Sequence, residues 1–224
     1  GGGPRIKREL DKSNIQSKFI RGLRVTDEKI INIVESVLID FNNDIVDSLK
    51  KFGTDAVSIH TKKNNVIKVT PEAKELGFVG IPTNIDNTLI EKILDKKQVP
   101  IISPLGLGND NHPYNINGDT AAGAIAKSLK SRRLLLMTNV EGVLDKDKKL
   151  INEITSSEVL KMVENNIITE GMIPKINTCL DAVKNGVTAV GIIDGRKQHS
   201  ILFEIFSDKG HGTLIRKWKI LKKW

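Results

Sequence analysis

Arg133-Leu134-Leu135-Leu136-Met137-Thr138 is a continuous apolar run ended by a polar residue. It reads as a central strand of a parallel sheet, buried on both faces. Asn139 to Leu144 follows as the loop at its carboxyl end. Beyond it, Ser156 to Asn165 is helical. Pro174 starts another helix carrying Ile176, Cys179, Leu180 and Val183, with Gly186 past its end. Thr188 to Ile193 is a strand, and Ser200 to Phe206 a last helix.

The same alternation extends toward the N-terminus. Asp119 to Leu129 is a helix, Tyr114 to Asn117 a short strand, and Val99 to Ser103 a buried strand. Asp86 to Lys96 is a helix, and Phe78 to Ile81 a strand. Ala56 to His60 and Val66 to Thr70 read as a hairpin turning at Lys62 to Asn65. Asp27 opens a long helix whose apolar positions Ile30, Ile31, Val34, Val37, Leu38, Phe41, Ile45 and Leu49 share one face. Phe19 to Thr26 is irregular, and Pro4 to Leu10 is a short helix. Strands alternating with helices predict an α/β fold with a mainly parallel central sheet. A break near Ser131 divides it into lobes of residues 1–131 and 132–224.

The 224 residues can bury a sizeable core. No apolar run is long enough to span a bilayer, and no signal peptide opens the chain, so no membrane role is expected. Cys179 is the single cysteine. No internal disulfide can form, which fits a cytoplasmic location. The net charge of +8 invites a nucleic-acid reading. The lysines, however, are spread among acids, and aromatics are only 4%, too few for base stacking. No nucleic-acid partner is expected, and the charge suits anionic small molecules. The basic tail Arg216 to Trp224 could meet an anionic surface or a partner subunit, or remain a solvated end.

Several short stretches could carry chemistry. Asn115-Ile116-Asn117-Gly118-Asp119 puts two amides and a carboxylate where a strand gives way to a helix, as binding sites in α/β proteins do. The same residues would also make an ordinary turn and helix cap. Gly1-Gly2-Gly3 exposes backbone N–H groups to an anion, or simply turns tightly. Arg24, flanked by Leu23 and Val25, is expected to be held inward in preference to Arg21 and suits a carboxylate there; a surface arginine is the alternative. Lys175 opens a helix, where the dipole disfavours a cation unless an anion such as a phosphate faces it; an exposed helix lysine is the alternative. His60, His112, His199 and His211 are scattered and suggest no triad or metal cluster. Positioning groups and cations without a covalent apparatus suit in-line phosphoryl transfer.

These stretches, with Gly22 to Asp27, Glu141 to Leu144, Ile167 to Lys175, Asp194 to Arg196 and Gly210 to Thr213, resemble the acetylglutamate kinases of the amino-acid kinase family. The resemblance runs from residue 1 to about Ile215. It implies a three-layer sandwich and ATP-dependent phosphorylation of N-acetyl-L-glutamate in arginine synthesis, with Mg²⁺. It further implies substrate contacts at Gly2, Gly3, Arg24 and Asn115, with Asp119 organising lysines and Lys175 stabilising the transition state. Asn139, Val140, Glu141, Gly142, Val143, Leu144, Ile167, Ile168 and Thr169 would line the nucleotide. A homodimer and inhibition by arginine are further expectations. A related amino-acid kinase acting on another substrate is the alternative.

The pattern departs from the family in three places. The family's initial strand, with a second catalytic lysine, has no counterpart before Gly1. The chain is therefore expected to be a fragment, and a non-catalytic binding piece is a further alternative. Asn139 stands where the family usually has Asp. Lys62 and Lys63 stand where it commonly carries a glycine- and aspartate-containing turn.

Overall fold

A computed structural model describes residues 2–168, 172–207, 210 and 212–218. The chain divides into two compact units, Gly1–Ala121 and Ala122–Trp224. Among the described residues no helix is long and apolar enough to cross a membrane.

The first unit opens with α1 (Gly3–Lys12), where Pro4 enters at a position whose missing N–H costs nothing. Ile6 and Leu10, four residues apart, bury one face. The segment expected to be irregular holds a two-rung antiparallel ladder, β1 (Phe19–Ile20) and β2 (Leu23–Arg24), turning at Arg21 and Gly22. Asp27 then caps α2 (Glu28–Lys51), its carboxylate accepting the Ile30 N–H at 2.9 Å. Ile6 and Leu10 share a core with Ile30, Val34, Val37, Leu38 and Leu105. Burying each such aliphatic side chain stabilises the unit by about 1.5–3 kcal/mol.

The unit continues with β3 (Ala56–Ile59), β4 (Ile67–Pro71), a single 3-10 turn (Lys74–Leu76), β5 (Gly80–Ile85), α3 (Asn87–Asp95), β6 (Val99–Ile102), β7 (Leu105–Leu107) and β8 (Pro113–Asn115). The hairpin expected from β3 and β4 does not form, although a His60–Lys63 bridge closes a turn after β3. Instead β3 pairs in parallel with β6, and β4 joins a sheet of order β5-β4-β7-β8. Burial explains the difference. Ala56, Ser58 and Ile59 are all buried, which suits a parallel ladder with a helical crossover. By contrast β4 alternates buried and exposed positions, the pattern of a sheet with one wet face. The buried side chain of Asn42 on α2 donates to the Ile101 carbonyl at 2.7 Å and accepts from the Ser58 hydroxyl at 2.7 Å. A polar group inside the core thereby ties the helix to the β3–β6 pair.

The chain passes between the units inside α4 (Gly118–Ser128). The second unit contains β9 (Arg133–Thr138), β10 (Glu153–Thr155), α5 (Ser156–Glu164), α6 (Ile173–Lys184), β11 (Ala189–Asp194), α7 (Ser200–Phe206) and β12 (Gly212–Arg216). Its sheet runs β10-β12-β11-β9, with β11 parallel to β9 and antiparallel to β12. All six residues of β11 are buried. The central place expected for Arg133–Thr138 therefore belongs to β11. β9 has a single neighbour among the described strands, and Met137 is 49% exposed. Leu134 and Leu136 nevertheless enter the core with Ile154, Val159, Ile176, Cys179, Val190, Ile192 and Ile215. Cys179 is fully buried there as a small packing residue. Thr155 and Glu158 form a reciprocal capping box at the start of α5.

Candidate functional site

Hydrogen bonds identify the helix cap within Asn115 to Gly123. The side-chain oxygen of Asn117 accepts the N–H groups of Asp119 at 3.0 Å and Thr120 at 3.2 Å. Asn117 thus caps the start of α4. Asp119 is partly buried in the first helical turn. Beside it, a Cβ added at Gly118 would meet no atom within 4 Å, so the backbone faces open space. Farther along α4, Gly123 leaves room for Thr178 of α6.

Asn115 ends β8, its N–H bonded to the Phe78 carbonyl at 2.9 Å. Its side-chain amide donates to the hydroxyl of Thr26 at 3.5 Å, and that hydroxyl donates to the Arg24 carbonyl at 2.8 Å. Thr26 is completely buried and is held by backbone bonds to Leu76 and Phe78. Gly77, at a φ of 67°, lies so close that a Cβ there would collide with the Thr26 carbonyl. The backbone of Arg24 and the side chain of Asn115 are therefore linked through one threonine, whose part the sequence did not announce.

The guanidinium of Arg24 lies 4.8 Å from the centroid of the Phe19 ring and donates to the Ser17 hydroxyl. Burial pushes its pKa down from the usual arginine value. Among the described residues it meets no carboxylate. Arg21, by contrast, is exposed and pairs with Glu75 at 2.9 Å. A neighbouring aromatic group borders Asn115: Phe78 stacks on His112 with centroids 4.2 Å apart, and Tyr114 meets Phe78 edge-on. His112 also faces Glu28 across 3.2 Å. Burial alone would lower the His112 pKa, but hydrogen bonding to the Pro113 carbonyl and to Glu28 outweighs it and raises the value above 6.5.

At the start of α1, the N–H of Ile6 bonds to the Gly2 carbonyl, as the first helical turn requires. A Cβ at Gly3 would meet nothing within 4 Å. A Cβ at Gly2, by contrast, would collide with the side chain of Leu38. Gly1 lies outside the described residues.

In the second unit, the loop Asn139 to Leu144 is fastened from several sides. The Gly195 N–H bonds to the Thr138 carbonyl at 2.8 Å, and Lys197 pairs with Glu141 at 3.0 Å. The Val143 N–H bonds to the Thr213 hydroxyl at 2.8 Å. Val143 is buried, whereas Val140 and Leu144 are partly open. Next to this loop, Arg196 makes two 2.9 Å bonds to the buried Asp194 and holds its carboxyl at a pKa of about 2.

Ile168 puts its side chain into the core, so any ligand contact there would be through backbone. Ile167 is partly buried, and Thr169 lies outside the described residues. Lys175 stands in the first turn of α6, partly buried, with no acidic residue in that turn. Asn139 to Leu144 is thus gathered with Asp194 to Lys197 and Thr213, and Arg24 with Thr26 and Asn115. At the end of the described chain, Lys217 lies 5.1 Å over the ring of Trp218. Lys219 to Trp224 lie outside the described residues.

Residues 1–194 match the model of the amino acid kinase family. The chain is 55% identical over 217 residues to an acetylglutamate kinase of Pelagibacter ubique (strain HTCC1062), covering 97% of this chain and 75% of that protein. It is 43% identical over 229 residues to an acetylglutamate kinase of Brucella abortus (strain S19), covering 96% and 77%. Its fold is similar to that of an N-acetylglutamate synthase from Neisseria gonorrhoeae in complex with coenzyme A and N-acetyl-glutamate. That likeness has a TM-score of 0.87 at 23% identity and covers 98% of this chain and 51% of that one.

Proposed function

The chain belongs to the amino acid kinase family, and from that we propose that it phosphorylates the side-chain carboxylate of N-acetyl-L-glutamate with ATP. The products are N-acetyl-L-glutamyl phosphate and ADP, and the reaction belongs to arginine synthesis. Identity of 55% to a protein named for this activity supports the reading. The single observation that carries it is Arg24: partly desolvated, without a carboxylate among the described residues, and tied through Thr26 to Asn115. A dicarboxylate with an amide matches that pair. The guanidinium can grip one carboxylate with two parallel bonds, and the Asn115 side chain can bond the substrate.

The remaining roles follow from charge. The attacking group is a carboxylate with a reference pKa of about 4.3, so it needs no general base at neutral pH. What the reaction needs is relief of repulsion between an anion and a polyanion. Gly2 and Gly3 would donate backbone N–H groups near the reacting centre. Lys175 would stabilise the charge that develops on the phosphoryl oxygens, and Asp119 would hold cations rather than take a proton. Asn139 to Leu144, with Ile167 to Thr169, would hold the nucleotide. In this reading residues 1–131 bind the acceptor and 132–224 bind ATP.

Mg²⁺ would arrive with the ATP phosphates and neutralise part of their charge. Among the described residues no group of three or more His, Cys, Asp or Glu side chains converges, and oxygen donors on the nucleotide and water suit this ion. The reading also includes a homodimer and arginine as an inhibitor, which rest on the resemblance alone, and a cytoplasmic location, which rests also on the single cysteine. The deciding assay is ADP release with N-acetyl-L-glutamate, compared with glutamate, aspartate and carbamate. Release with N-acetyl-L-glutamate alone is expected. Equal or greater release with another acceptor would overturn the substrate assignment.

A further inference from the structure

The structure assigns to Thr213 the role of positioning residue for the loop Asn139 to Leu144. The inference rests on that loop's holding the nucleotide. Thr213 is 1% exposed and belongs to β12, where it pairs with Ile192 of the fully buried β11. Its hydroxyl accepts the Val143 N–H at 2.8 Å and donates to the Ile151 carbonyl at 2.6 Å. The Ile151 N–H returns to the Val143 carbonyl at 2.9 Å, which closes a circuit of three bonds. Gly142 lies directly against the same residue. At its φ of 147°, a Cβ would sit 2.6 Å from the Thr213 hydroxyl and 3.1 Å from its backbone nitrogen.

This hydroxyl serves as acceptor and donor at once inside a space with no slack. Valine would fill the volume but leave Val143 N–H and the Ile151 carbonyl without their partner. The loop backbone would then lose the fixed setting from which it could meet a ligand. Thr213 would act through the loop and not by touching the nucleotide. The anchoring strand β12 is paired along its length with the fully buried β11, so the loss should remain local to residues 139–151.

The test compares the chain with its T213V and T213S variants, using Mg-ADP as the probe. Titration calorimetry reads the ADP affinity, and hydrogen exchange reads residues 139–151 and 189–194 with and without Mg-ADP. T213V should raise the Kd for ADP by about tenfold, the scale of one lost hydrogen bond. It should speed exchange in 139–151 while 189–194 stays protected. T213S keeps the hydroxyl and should bind ADP as the parent chain does. N-acetyl-L-glutamate affinity should not change in either variant.

Unchanged ADP affinity and loop exchange in T213V would overturn the proposal. A T213S variant as weak as T213V would also overturn it, because the methyl and not the hydroxyl would then matter. Loss of protection in 189–194 would likewise overturn it, since the role would not be local. If Mg-ADP fails to protect 139–144 in the parent chain, the nucleotide assignment fails by itself. The clamping of the loop is still judged from exchange without nucleotide.

Discussion

Asn115 donates its side-chain amide to the hydroxyl of Thr26, a residue 89 positions earlier in the chain. That bond adds a side-chain link to the backbone bonds by which both residues hold Phe78, which place the end of β8 beside the strand carrying Arg24. Because the Thr26 hydroxyl also donates to the Arg24 carbonyl, its removal disturbs both proposed substrate contacts together. Thr26→Val should raise the KM for N-acetyl-L-glutamate by about tenfold. The KM for ATP should not move. Steady-state kinetics with each substrate varied in turn will show whether the effect is confined to the acceptor.

Arg24→Lys tests the shape of the charge rather than its presence. Lysine keeps the cation but lacks the planar fork and the face that lies over Phe19. A loss of about tenfold to a hundredfold in kcat/KM for N-acetyl-L-glutamate is expected, the scale of one to two charged hydrogen bonds. Parent-like kcat/KM would remove Arg24 from substrate binding.

Asn117 and Asp119 should separate cleanly. Asn117→Ala removes the cap of α4 and should cost about 1 kcal/mol of unfolding free energy. Asp119→Asn should leave stability nearly unchanged while kcat drops. Urea unfolding measured alongside kcat gives both readings; a large stability loss in Asp119→Asn would argue for a structural role.

Lys175→Ala should lower kcat by about a hundredfold to a thousandfold with little change in either KM, as expected when transition-state charge loses a partner. Lys175 stands in the first turn of α6, an end at which the helix dipole favours anions. An unchanged kcat would exclude it from the chemistry.

His112 should give unfolding a pH dependence of definite sign. Its pKa is raised in the folded chain, where it bonds to Pro113 and Glu28. The stability from this group is therefore fully present below about pH 6.5, its unfolded value, and fades as pH rises through the higher folded value. The Tm gap between the parent and His112→Asn should be wider at about pH 5.5 than at about pH 8.5. A gap that is constant with pH would contradict the pairing with Glu28.

The local parts of the fold were readable because local rules govern them. The buried positions of α2 repeat along one face, and Asp27 caps its start, so that helix follows from neighbours in sequence. Strand partners are set by distant residues. Ala56–Ile59 is visibly a strand, but nothing nearby shows that Val99–Ile102 rather than Ile67–Pro71 lies beside it. The same limit explains β9, since an apolar run reveals burial and not the number of neighbours. In the site, Arg24 was readable from its apolar flanks. Thr26 and Thr213 were not, because a hydroxyl declares its work only when its remote partners are known.

Gly77 shows how far the acceptor site extends beyond the atoms that could touch a substrate. Its left-handed backbone fits under the Thr26 carbonyl, and any side chain there would push that residue aside. In a selection for growth without supplied arginine, position 77 would then tolerate almost nothing, although no ligand contact is proposed for it. A map of intolerant positions drawn from such a screen would place the edge of the binding site one residue layer too far out.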